Sequence, residues 1–135
     1  MKTLPEGIYI FGHTHVQWFL QTDRHLFINA GSCGEPQDCM ENCAAYTLLT
    51  VTKGQAVVEE RRIPYDTEEL IARVKESSQY REARVWTETI IKSWRTCREQ
   101  SCRYIWHVEE YAKKLGDTVR PFTKETWDGA YDSWE

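Results

Sequence analysis

The spacing of apolar residues changes at Pro64, and no other feature constrains the fold of this chain so strongly. From residue 8 to about 63, five short segments, "IYIFGHTH", "QWFLQT", "HLFINA", "AAYTLLTV" and "QAVVEERRI", are rich in β-branched and aromatic residues. Polar or glycine-containing turns separate them, which is the pattern of strands. "TDR" at 22–24 and "TKGQ" at 52–55 predict hairpin turns, with Gly54 supplying a positive φ, so a β-meander is expected. One connection is long: "GSCGEPQDCMEN", residues 31–42, and long loops in compact domains are often functional.

Past Pro64 the period lengthens to that of a helix. Asp66 with Glu69 three positions on forms a capping pair, and Tyr65 with Leu70 a flanking staple, predicting a short helix that ends near Ser78. From Ala83 the positions Thr87, Ile90, Trp94, Cys97, Ser101, Tyr104, Val108, Tyr111 and Leu115 continue in alternating steps of four and three, a heptad seam that Gly116 stops. An unbroken helix over 81–115 would be roughly 50 Å long. Either it breaks near Cys97 to Ser101 into a helical hairpin, or it needs a partner helix, and the second case makes a homo-oligomer. Thr123 predicts a further cap, with Phe122 and Trp127 as its staple and Trp127, Tyr131 and Trp134 on one face. Those aromatics either dock a partner or cover the chain's own core. The expected organisation is thus a strand-rich segment at 1–66, a helical region at 67–116 and an acidic aromatic tail at 117–135, an α+β chain.

The charge balance narrows the function classes. Of 135 residues 28% are charged, yet the net charge is -4 and bases alternate with acids, so no basic stripe predicts nucleic-acid binding. No stretch approaches eighteen apolar residues, and "MKTLPEG" lacks the apolar centre of a secretion signal, so a cytoplasmic protein is expected. Five cysteines, an odd count, predict reduced thiols. Cys39 and Cys43, four apart, with histidines nearby would permit a structural zinc, although such sites usually present two tight ligand pairs.

Within "IYIFGHTHVQW" Gly12 breaks the apolar run, placing His13 and His15 where a strand ends. Imidazoles at i and i+2 converge on one place only if the backbone turns between them. So placed, each can serve as a ligand for a borderline divalent metal, whereas the ordinary alternative is a pair of solvent-exposed or hydrogen-bonded histidines.

"IFGHTH" followed by a hairpin, then "INAGSCGEPQD", "AAYTLLTV" and "VEERRIPYD", resembles the C-terminal part of the calcineurin-like metallophosphoesterases, over residues 5–66. The resemblance implies part of a β-sandwich followed here by a long helix or helical hairpin. It implies that His13 ligates one metal ion and His15 another, in a dinuclear centre of manganese, iron, nickel or zinc that hydrolyses phosphate esters. Asn29, Gly31 and Ser32 match the loop packed beside that site. Ala30 stands where the family has proline, Gln37 where arginine is common, and Asp38 matches, with loop capping as its expected role. The family's remaining ligands come from an N-terminal half whose motifs are not among these residues, and His25 and His107 do not replace them. The expected function is therefore the C-terminal portion of a phosphoesterase completed by such a half, with a non-catalytic module self-associating through its long helix as the alternative.

Overall fold

A computed structural model describes residues 4–40 and 43–134, and the chain divides into two compact units, Met1–Tyr65 and Asp66–Glu135. The first holds five strands: β1 (Gly7–Phe11), β2 (Gln17–Gln21), β3 (His25–Ala30), β4 (Cys43–Thr52) and β5 (Gln55–Pro64). The second holds helices α1 (Thr67–Glu76), α2 (Ser78–Glu82), α3 (Arg84–Thr96), α4 (Ser101–Leu115) and α5 (Lys124–Asp132). The chain is α+β, divided where the apolar period changes. Among the described residues no helix is long and apolar enough to cross a membrane.

The strands do not form the expected meander. One sheet has the order β1-β3-β2, with β1 parallel and β2 antiparallel to β3, and β4 and β5 form a separate two-stranded sheet. β1 and β3 are nearly continuous apolar runs, the pattern of strands in parallel pairs, whereas a meander would set β1 against β2. Residues 12–16 carry the chain away from β1, so that β3 can enter between them. The β2–β3 turn does fall at 22–24: the Thr22 hydroxyl accepts from the His25 amide at 3.0 Å. Gly54 closes the β4–β5 hairpin at φ 86°.

In the helical unit the local signals act as the sequence predicts. The Asp66 carboxylate accepts from the Glu69 amide at 2.9 Å and starts α1. Ser77 then ends α1 and caps α2, accepting from the Tyr80 amide at 3.2 Å. The heptad seam breaks at Cys97, which is left-handed at φ 50°, and the Gln100 amide donates to the Ser93 hydroxyl at 3.3 Å. Of the two alternatives open to residues 81–115, the chain adopts the helical hairpin. Most of the seam is consequently covered within the unit. Tyr104 and Val108 are 0% exposed, and the polar seam positions are buried, Thr87 turning its hydroxyl back onto the helix to donate to the Ala83 carbonyl at 2.9 Å. Leu115, the last seam position, stays exposed, and Gly116 caps α4 at φ 72°.

The aromatic tail covers this unit's own core. Thr123 caps α5, and Trp127, Tyr131 and Trp134 surround Tyr104 with ring centroids 5.5, 6.1 and 4.9 Å away. The Tyr104 hydroxyl donates to the Trp127 carbonyl, and burial pushes its ionisation well above the usual range. His107 contributes a second tie, its Nε2 lying 3.0 Å from the Ala130 carbonyl at the end of α5. Tyr104→Phe is expected to cost about 0.5–1.5 kcal/mol, the net value of one hydrogen bond. Tyr104→Ala is expected to cost about 3–5 kcal/mol, because it also opens a cavity. Chemical denaturation followed by near-ultraviolet circular dichroism separates the two.

Candidate functional site

Parallel pairing of β1 with β3 sets Phe11 beside Asn29, so both strands deliver their following loops to one end of the sheet. After β1 come residues 12–16 with the two histidines, and after β3 comes the loop beginning at Gly31. The turn that a convergent histidine pair requires is present. It is made by the histidines themselves: His13 has φ 74° and His15 φ 56°, while Gly12 is not left-handed. Left-handed conformations in non-glycine residues cost free energy and cluster where surrounding structure enforces them for function.

Asn29 does the enforcing. Its side chain is buried, the residue being 1% exposed; Nδ2 donates to the Gly12 carbonyl at 3.2 Å and to the Thr14 hydroxyl at 2.8 Å, and Oδ1 accepts from the Gly31 amide at 3.1 Å. One amide therefore joins the histidine turn to the loop behind it. Gly31 is required there on two counts. Its φ is 80°, and a Cβ would lie 2.9 Å from the Cβ of Gln17 and 3.0 Å from that of Ala45. Ser32 folds the loop further, its hydroxyl accepting from the Glu35 amide at 2.9 Å and its carbonyl from the Ala45 amide at 3.0 Å.

The loop in turn orients His15. Nδ1 lies 2.9 Å from the Glu35 carbonyl oxygen, which can only accept, so in the neutral ring Nδ1 carries the hydrogen and Nε2 keeps its lone pair. Metal-binding histidines are held in this way, with the second ring nitrogen fixed on a carbonyl or carboxylate. The Gln37 amide also donates to the His15 carbonyl at 3.2 Å. His13 is exposed to solvent. His15 thus fits the ligand role in ring state, and both histidines share the turned backbone. Ligand number is short: among the described residues no three His, Cys, Asp or Glu side chains converge.

The remaining candidates separate from the histidines. Asp38 is structural, paired through both carboxylate oxygens with Arg62 of β5, its side chain 9% exposed, and it also accepts from the Met40 amide at 3.3 Å. The Arg62 guanidinium holds the Asp38 carboxyl below its ordinary value. Gln37 sits in the same loop and places no cation there. Cys39 is exposed and left-handed at φ 61°, while Cys43 is buried with its sulfur 3.9 Å from Arg62 Nη1. They do not join the histidines in a zinc set among the described residues. His25 stacks on Phe27 at 5.6 Å between centroids. In the helical unit a cleft of about 590 Å³ is lined by Trp86, Phe122 and Trp127, but two of its cations are engaged: Lys124 with Asp128 and Arg84 over the Tyr131 ring.

Sequence reasoning did not single out Thr14, the Glu35 carbonyl or Arg62. Thr14 lay between the histidines as a visible hydrogen-bonding residue, whereas a main-chain carbonyl leaves no mark in a sequence. Comparison of the chain with protein-family models, with curated proteins and with solved structures finds no match in any of the three.

At position 13 both Gly and Ala remove the imidazole, but only Gly relieves the left-handed backbone. His13→Gly should therefore exceed His13→Ala in unfolding free energy by about 1 kcal/mol in urea titration. The Asp38–Arg62 pair stabilises the fold at pH values above the ordinary carboxylate value of 3.8, and this contribution drains away as pH falls through the depressed folded value. Asp38→Asn should cost about 1.5–3 kcal/mol at pH 7. It should also flatten the loss of stability that the native chain shows on acidification below about pH 4.

Proposed function

We propose that this chain supplies one edge of a dinuclear, metal-dependent phosphoesterase centre, with His13 and His15 as ligands to the two ions. The observation that carries this reading is the pair of left-handed histidines, locked by Asn29 at the end of a parallel strand pair, with His15 Nε2 left as a lone-pair donor. A turn kept only for chain reversal would favour glycine at such positions. Two divalent ions in such a centre polarise the phosphoryl group and activate a water as nucleophile. Catalytic metal sites generally take three or more protein ligands, so two imidazoles hold an ion only weakly. The rest of the coordination comes from a complementary metallophosphoesterase half, as a partner or as further sequence of the same gene. Manganese, iron, nickel and zinc all suit imidazole donors.

The second reading is a non-catalytic module that self-associates through its helices. Leu115, 61% exposed at the end of the seam, and Trp106, 65% exposed on the same helix, favour it.

Titration of the chain with Mn²⁺, followed by the ring-proton resonances of its four histidines, tests the first reading. His13 and His15 should broaden before His25 and His107, and each should keep its own broadening only while its own imidazole is present. Broadening centred on His25 or His107 would reject the ligand assignment. With Mn²⁺ added, the chain alone should not hydrolyse bis(p-nitrophenyl) phosphate, and turnover that disappears in His13→Ala would show a complete centre within the chain.

A further inference from the structure

We infer that the two ion positions of the proposed centre are unequal, and that Glu35 makes the one on His15 the tighter of the two. The inference deepens the metal reading and rests on it. Its ground is the different setting of two rings that share one turn. Glu35 meets His15 Nδ1 twice: its main-chain carbonyl oxygen lies at 2.9 Å and its carboxylate Oε2 at 4.0 Å. The His13 side chain is open to solvent, and among the described residues no hydrogen-bond partner holds its ring.

The two contacts from Glu35 differ in effect. The carbonyl accepts the Nδ1 hydrogen and so keeps Nε2 as the donor atom, but it brings no net charge. The carboxylate brings the charge. At 4.0 Å it lies beyond hydrogen-bond reach of Nδ1, so it acts through space rather than as a second tie. The two ring nitrogens face away from each other, which places the carboxylate behind the ring and not on an ion held at Nε2. Glu35 is therefore a positioning residue. An ion on Nε2 draws positive charge onto the imidazole, and a carboxylate behind the ring stabilises that charge. The Glu35 side chain is only 20% exposed, so water and salt screen the attraction less than they would for a surface carboxylate. Asp38, the other described acid of this loop, offers no such charge, because Arg62 neutralises it.

Side-chain freedom acts in the same direction. His15 is already held by the loop before an ion arrives, whereas the exposed ring of His13 must give up its rotamer freedom on coordination. The ion on His15 accordingly loads first, and the one on His13 exchanges more readily. Of the two advantages, the orientation comes from a main-chain atom and survives substitution at position 35. The charge does not, so the two can be separated.

Titration of the full chain with Zn²⁺ at buffered free concentration, followed by the ring-nitrogen resonances of each histidine, tests it, since a ring nitrogen shifts strongly only where it binds. In the native chain His15 should reach half-saturation at a lower free Zn²⁺ than His13. Glu35→Gln keeps the side-chain size and the main-chain carbonyl and removes the charge. It should raise the half-saturation concentration of His15 about tenfold, the lower end of the range for a residue acting through a ligand, and leave that of His13 unchanged. Before Zn²⁺ is added, His15 should carry its hydrogen on Nδ1 in both chains, which a collapsed loop would not preserve. Asn29→Ala frees the whole turn and should weaken both rings together, the pattern of a merely structural loss. Equal half-saturation of the two rings in the native chain overturns the inference and leaves the ligand assignment standing. So does a Glu35→Gln chain in which His15 is unchanged, in which His13 weakens as much as His15, or in which the Nδ1 hydrogen is lost. Zn²⁺ that reaches His25 or His107 before either of them rejects the metal reading and the inference with it.

Discussion

The side-chain amide of Asn29 is the interaction on which the strand-rich unit depends. It is buried at the end of the central strand and holds three groups from two loops: the Gly12 carbonyl, the Thr14 hydroxyl and the Gly31 amide. A buried amide is costly unless its donors and acceptors are engaged, and here both ends are. The engagement fixes the histidine turn in a conformation that His13 and His15 would not choose alone. It also holds Gly31 against Gln17 and Ala45, where a side chain would not fit. Loss of this amide would therefore release the turn and the loop together.

From that point the order spreads through the loop after β3. Ser32 bends it, the Glu35 carbonyl reaches His15, and Asp38 secures the far end to Arg62 on β5. The loop's aspartate thus spends its charge on a guanidinium within the fold. The two imidazoles stand beside it, one oriented by the Glu35 carbonyl with the Glu35 carboxylate 4.0 Å from the same ring nitrogen, and one open to solvent. The helical unit is built on a different principle. Its centre is Tyr104, enclosed by rings from α5 and by Trp134 after it, with the hydroxyl satisfied by a main-chain carbonyl.

The two halves differ in how much of them the sequence foretells. Capping at Asp66 and Thr123, the stop at Gly116 and the turn at Gly54 are read from residues three or four apart, and each holds. The heptad spacing allowed either a continuous helix or a hairpin, because periodicity records which face is apolar and not what covers it. The break fell at Cys97 to Gln100, among the weakest apolar positions of the seam, where a serine hydroxyl could receive a freed amide. The meander failed for a related reason. Strand patterns specify extended segments and leave their partners open, and the apolar continuity of β1 and β3 was compatible with adjacent or intervening placement.

By itself the sequence determined the division at Pro64, the identity of nearly every strand and helix, and the location of His13 and His15 at a strand end. These rest on local forces: side-chain period, caps and turn residues act within a few positions. Tertiary structure decided that β1 pairs in parallel with β3, that the left-handed strain falls on the histidines rather than on Gly12, and that Asp38 belongs to Arg62. Each of those depends on contacts 15 or more residues apart. Such contacts form only when the conformational entropy of the intervening chain is offset by a buried set of partners, and no local pattern encodes that balance.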